Sequence, residues 1–148
     1  MHNSEINIVV KNSLDALSFY ENIFRIERIE VGDFILGQNE VTIKINELYL
    51  RLLDENPDFN MLAPQNDTYI PFWFNITVNN IEQTYNQALN LGCTKIQDVN
   101  HMPEMGIKNA MFKDPYGYTW LLHEVIEIID YETRVELLEK QGFKRNKD

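Results

Sequence analysis

Few side chains in this sequence could do chemistry, and they are scattered. Glu5 heads a short apolar run, Cys93, His101 and His123 lie in the second half, and Asn75 follows the aromatic triplet Phe72-Trp73-Phe74. One carboxylate and two imidazoles are the kind of donors that build a transition-metal centre, and a catalytic ion generally needs about three protein ligands. His123 could carry a proton near neutral pH, yet no acid or nucleophile stands at a spacing that would pair with it. A lone histidine of this kind reads more simply as structural. Cys93 directly follows Gly92 and reads as a buried, inert thiol. Trp73 offers a flat apolar surface. If it shares a strand face with Asn75 and Thr77, the three suit a planar ligand, and core packing is the equally simple alternative. No glycine-rich phosphate loop, Ser-His-Asp order or zinc-type histidine spacing occurs.

The elements that would hold these residues come in two copies. Asn7-Ile8-Val9-Val10-Lys11-Asn12 returns as Asn75-Ile76-Thr77-Val78-Asn79-Asn80, an offset of 68 residues. In the first copy, Ile6–Val10 reads as a strand. Asn12 or Ser13 then caps a helix whose apolar positions are Ala16, Leu17, Tyr20, Ile23 and Phe24. Strands follow at Arg25–Val31, Val41–Ile45 and Leu48–Leu53, with Asn46-Glu47 as a tight turn. In the second copy, Phe72–Val78 is a strand, Asn80 caps a helix carrying Ile81, Tyr85 and Ala88, and Gly92 stops it. Strands are predicted at Thr94–Val99, Ile107–Lys113 and Tyr118–Val125. Asn100–Gly106 reads as a loop, holding His101 where it could close over a ligand or simply be solvated. Asp114-Pro115-Tyr116-Gly117 has the residues of a type I turn. Between the copies, Asp54–Asp67 carries loop signals. After them, Tyr131, Val135 and Leu138 give one apolar face to a C-terminal helix over 130–143.

Composition narrows the function classes. The net charge is -10, with the excess in residues 1–64 and 65–129, while the tail 130–148 is balanced. An acidic body repels phosphate backbones, so nucleic-acid binding is not expected. It would attract a small cation, although solubility alone accounts for such acidity. No apolar run approaches the ~18 residues that span a bilayer, and Met1–Glu5 has no basic region leading into an apolar stretch. One cysteine excludes an internal disulfide. A reduced, cytoplasmic setting is the simplest reading.

Two motifs carry a family resemblance. Val10-Lys11-Asn12 followed by Ala16 and Phe19-Tyr20 resembles the first strand and helix of the vicinal oxygen chelate superfamily, which unites glyoxalases, bleomycin-resistance proteins and dioxygenases. Phe112-Lys113-Asp114-Pro115-Tyr116-Gly117-Tyr118 resembles that family's closing Asp-Pro-x-Gly hairpin. The resemblance spans about residues 5–125. It implies an α+β fold, a single glyoxalase-like domain over 1–148. Two tandem βαβββ modules (5–56 and 71–126) would form a curved mixed sheet, with the C-terminal helix added.

The resemblance also implies where a metal would sit. In metal-dependent members the ligands come from the first and last strands of each module. Those positions here are Glu5, Leu52 (give or take a residue), Trp73 and Leu121, of which only the glutamate can hold a metal. The expectation is therefore the metal-free branch, with no cofactor: a binding protein for a small organic molecule, cationic or aromatic, acting as a homodimer without nucleic-acid or membrane partners. The expected ligand-binding residues are Glu5, Asn7, Leu52, Trp73, Asn75, Leu121 and His123. Two alternatives stay open. One is a lyase, isomerase or dioxygenase with an atypical site around Glu5, His101 and His123. The other is a protein acting only through its dimer surface.

Overall fold

The computed structural model describes residues 4–65 and 67–146. Met1–Asn3, Asn66, Lys147 and Asp148 lie outside them, and with them most of the N-terminal leader reading and the last basic residue of the tail. Each half of the chain folds as strand, helix, three strands. The first has β1 (Ile6–Val10), α1 (Ser13–Glu21), β2 (Glu27–Val31), β3 (Glu40–Ile45) and β4 (Leu48–Asp54). The second has β5 (Phe74–Thr77), α2 (Ile81–Asn90), β6 (Thr94–Met102), β7 (Ile107–Lys113) and β8 (Thr119–Val125). A last helix, α3 (Tyr131–Lys140), follows. The sheets run β1-β4-β3-β2 and β5-β8-β7-β6. In each, the first strand lies parallel to the last and the other pairs are antiparallel. This is the two-module α+β architecture expected from the repeat.

The repeat extends to the devices that hold each helix. Asn12 Oδ1 accepts from the N–H groups of Leu14 and Asp15, both at 3.1 Å, and Asn80 Oδ1 accepts from Gln83 N at 3.1 Å. A carboxylate on the last strand then takes the first N–H of the helix. Asp54 Oδ1 accepts from Ser13 N at 2.7 Å, and Glu124 Oε1 from Ile81 N at 3.0 Å. These bonds satisfy donors that a helix N-terminus leaves free and place negative charge at the positive end of its dipole.

One face of each sheet is buried against the helices. Ile8, Val10, Val41, Ile43, Ile45, Leu50 and Leu52 supply it in the first module, and Phe74, Ile76, Ala110, Phe112, Trp120 and Leu122 in the second. The two halves share a single core. The Trp120 ring lies 5.2 Å from Tyr20, 4.9 Å from Phe24 and 4.5 Å from Phe74, centroid to centroid. Asp114 sits in this aromatic cluster, its Oδ2 accepting from Tyr20 Oη at 2.5 Å and Trp120 Nε1 at 2.8 Å.

Two strands differ from their sequence reading. β5 begins at Phe74 rather than Phe72, leaving Trp73 just before the strand. β6 runs on to Met102, because Asn100, His101 and Met102 pair with Asn109, Lys108 and Ile107. The ladder ends at Pro103, which has no N–H to give, and a short turn closes with Gly106 in the left-handed region at φ 72°. His101 is therefore a strand residue and not part of a loop.

Candidate functional site

The face of each sheet away from the helices carries the residues with chemical potential. Strand register fixes which residues reach it, since side chains alternate between faces. In the first module Asn7 stands opposite Arg51, and in the second Asn75 stands opposite Leu121. The position equivalent to Leu121 is therefore Arg51. Leu52 pairs with Ile8 and is fully buried in the core. Its expected place in a site is corrected. The cause is the hairpin: Asn46-Glu47 is a two-residue turn between paired Ile45 and Leu48, and the second module's turn is longer. An alignment that misjudges that difference by a single residue places the side chain on the other face.

With the register taken into account, the four positions that the family resemblance implies for metal ligands are Glu5, Arg51, Trp73 and Leu121. Arg51 Nε lies 2.5 Å from Glu5 Oε1 and Nη2 lies 3.3 Å from Oε2, while Nη1 lies 2.7 Å from Glu40 Oε1. The side chains of Glu5 and Arg51 are only 19% and 22% exposed, so this pair is screened less than one at the surface. The Glu5 carboxylate beside it raises the Arg51 pKa further. A guanidinium thus occupies one ligand position and engages the carboxylate at another. Trp73 can only donate a hydrogen bond, and Leu121 has no lone pair to give. These residues do not fit a metal ion. Among the described residues, no group of three or more His, Cys, Asp or Glu side chains could hold one.

The second module's open face carries Asn75, Leu121 and His123, with Thr77 and Asn109 flanking the histidine in register. His123 is half-buried, and its Nδ1 is buried with no hydrogen-bond partner among the described residues. His101 lies on the opposite face. It pairs with Lys108, whose Nζ contacts Glu82 of α2 at 2.8 Å. Glu5, His101 and His123 are therefore not brought together. Cys93 is buried, and burial raises its thiol pKa to about 12, in keeping with an inert role.

Trp73 does line a cavity. Tyr69, Phe72 and Trp73, just before β5, fold beside Ile96, Met111 and Thr119 of the sheet to enclose about 380 Å³. Trp73 is 52% exposed and Tyr69 82%, so both rings present surface to solvent. Of the seven residues expected at a site, this cavity contains Trp73 alone. Sequence reasoning did not single out Tyr69, Ile96 or Met111. Their signal was only β-strand alternation on β6 and β7 and an aromatic in the linker.

Comparison with known proteins agrees with the two-module architecture. The sequence profile of the Glyoxalase/Bleomycin resistance protein/Dioxygenase superfamily matches residues 4–122. The chain is 22% identical over 143 residues to the uncharacterized protein Rv0887c of Mycobacterium tuberculosis, covering 92% of this chain and 82% of that one. Among solved structures, it resembles the fosfomycin resistance protein FosX of Listeria monocytogenes, complexed with manganese(II) and sulfate. The TM-score is 0.66 at 17% identity, over 93% of this chain and 97% of that chain. A glyoxalase/bleomycin resistance protein/dioxygenase family enzyme of Burkholderia phytofirmans superposes with a TM-score of 0.63 at 16% identity, covering 82% and 97%. At these identities the structures speak for the fold alone. With its helix-capping devices repeated in both modules and its profile match spanning most of the sequence, the chain belongs to the glyoxalase/bleomycin resistance protein/dioxygenase superfamily.

Proposed function

We propose that this chain is a metal-independent binding protein for a small, flat organic molecule, acting in the cytoplasm as a homodimer. The observation that carries the reading is the Glu5–Arg51 pair. A family site built for a cation has, in the first module, an arginine already bound to the one carboxylate. That supports binding without a metal. It also removes Glu5 as a free anchor for a cationic ligand, so the aromatic side of the expectation is the one retained. Trp73 and Tyr69 beside the apolar wall of Ile96 and Met111 supply a stacking surface of the kind planar ligands use. Asn75, Leu121 and His123 lie farther along the same sheet face, with Asn7 on the first module's open face. A second copy closing over the open faces would bring more of these residues around one ligand.

Elemental analysis of the purified chain after dialysis without chelator tests the metal. We expect well under one equivalent of zinc, manganese, iron or nickel. One equivalent that is lost on Glu5→Gln would overturn the proposal in favour of an enzyme. A thermal-shift screen of aromatic compounds tests the ligand, because a molecule that binds only the native state raises its melting temperature. A hit whose shift survives Trp73→Ala would remove that ring from the site.

A further inference from the structure

The described cations of the folded body mostly hold carboxylates. Arg28 pairs with Glu21, Lys44 with Glu47, Arg51 with Glu5 and Glu40, Lys95 with Asp98, and Lys108 with Glu82. Arg25, beside a separate cavity, holds none among the described residues, and neither do Lys11 and Lys113. Both line one cavity of about 440 Å³, walled by the inter-module linker at Pro64 and Gln65 and by the hairpin at Pro115 and Tyr116. It neighbours the aromatic cavity, since Asp67, Lys113 and Gly117 line both. Two carboxylates border the lysines. Asp114 is spent, with both oxygens accepting from Tyr20, Trp120 and the N–H groups of Tyr116 and Tyr118. Asp67 makes no ion pair with either lysine. In a chain of net charge -10, a cavity lined by two lysines that hold no carboxylate and by two aspartates, one of them saturated by four donors, is less acidic than the chain as a whole.

We propose that the two cavities form one groove for an amphipathic anion. Its flat apolar body lies against Trp73, Ile96 and Met111, and its carboxylate or sulfonate head lies between Lys11 and Lys113. This rests on the reading of the aromatic cavity as the ligand site and adds the class of ligand. The acidity of the whole chain points toward cations, but the charge that matters to a bound ligand is the charge lining its cavity, within a Debye length of about 10 Å.

The test uses two dyes with the same aromatic body, anilinonaphthalene sulfonate and the neutral N-phenylnaphthylamine, titrated calorimetrically against the full chain. The sulfonate should bind more tightly than the neutral dye. Lys11→Gln and Lys113→Gln should each weaken the sulfonate about fivefold to tenfold, the range for a charged partner in a half-open site, and Lys11→Gln, outside the aromatic cavity, should leave the neutral dye unchanged. Lys140→Gln, on α3, makes the same change in net charge and should alter neither. If the neutral dye binds and the sulfonate gains nothing from the lysines, the anion subsite falls while the aromatic site stands. A sulfonate affinity that drops equally in Lys140→Gln also overturns the subsite. If neither dye binds, the aromatic reading fails and this proposal falls with it.

Discussion

Arg51 grips Glu5 through two nitrogens while a third reaches Glu40, so one guanidinium ties the residue just before β1 to β4, and β4 to β3. The planar fork of arginine is suited to this, since it presents several donors in fixed geometry. Both partners of the inner pair are mostly shielded, which makes the pair worth more than a surface contact and its disruption costly. We predict that Arg51→Met and Glu5→Gln each lower stability by about 1–2 kcal/mol. The double variant should lose less than the sum of the two. A double-mutant cycle in urea measures this, and a coupling indistinguishable from zero would mean that the pair holds nothing.

A second prediction concerns the joint between modules. Tyr20 on α1 donates to Asp114, which also accepts from Trp120 and two backbone N–H groups. Burial raises the Asp114 pKa against these donors, and burial together with the adjacent carboxylate raises that of Tyr20. Tyr20→Phe removes one donor from a buried acceptor. It should cost about 1–3 kcal/mol and should not change the secondary structure seen by circular dichroism. Urea titration of the variant checks it, and a loss below about 0.5 kcal/mol would show the bond to be dispensable.

Much of this architecture was legible in the sequence, because its signals are local. Strand alternation, the Asn12 and Asn80 caps, Gly92 and the Asp-Pro-x-Gly turn each depend on residues within a few positions of one another. Register across strands is not local. Leu52 was placed on the wrong face because the two hairpins differ in length, with two residues between Ile45 and Leu48 and five between Lys113 and Thr119, and no residue type at Arg51 or Leu52 announces the shift. The partnership of Glu5 with Arg51, 46 positions apart, follows only from that register. His101 was read as a loop residue because Asn100 and Pro103 bracket it. Pairing with β7 outweighed those breakers until the proline itself.

Acid should weaken the fold through Asp54. Burial alone would raise its pKa, but the N–H groups of Ser13, Asn39 and Gly37 outweigh that and hold it below the ordinary 3.8. A carboxylate whose folded pKa is depressed stabilises the native state fully above its unfolded pKa. That contribution fades as pH falls through the lowered folded value. Asp54→Asn should therefore cost stability at neutral pH, about 1–3 kcal/mol, and should flatten the decline below pH ~4. Urea midpoints from pH ~7 to pH ~2 measure both. A variant that declines as steeply as the parent would assign the acid sensitivity elsewhere.

The last prediction concerns the strand edges where the modules meet. β1 and β5 each pair with one neighbour, so each leaves an edge of backbone groups that need partners. Each module's closing hairpin supplies one to the other module. Tyr118 Oη donates to Val9 O at 2.8 Å and accepts from Val9 N at 3.2 Å, and Asn46 Nδ2 donates to Thr77 O at 3.1 Å. Val9 and Thr77 are the same position of the repeat, 68 residues apart. The two locks differ in burial. Tyr118 is buried, which raises its hydroxyl pKa to about 12, whereas Asn46 is exposed. Losing the tyrosine hydroxyl leaves both backbone groups of Val9 without a protein partner. Losing the asparagine amide leaves a carbonyl that water can reach. Tyr118→Phe should cost about 1–3 kcal/mol and speed hydrogen exchange at the Val9 amide by about tenfold or more. Asn46→Gly, which keeps the left-handed turn conformation at φ 52°, should cost less than about 0.5 kcal/mol. Hydrogen exchange read at Val9 by NMR decides the matter. Unchanged protection there in Tyr118→Phe would mean that the hydroxyl does not close the edge of β1.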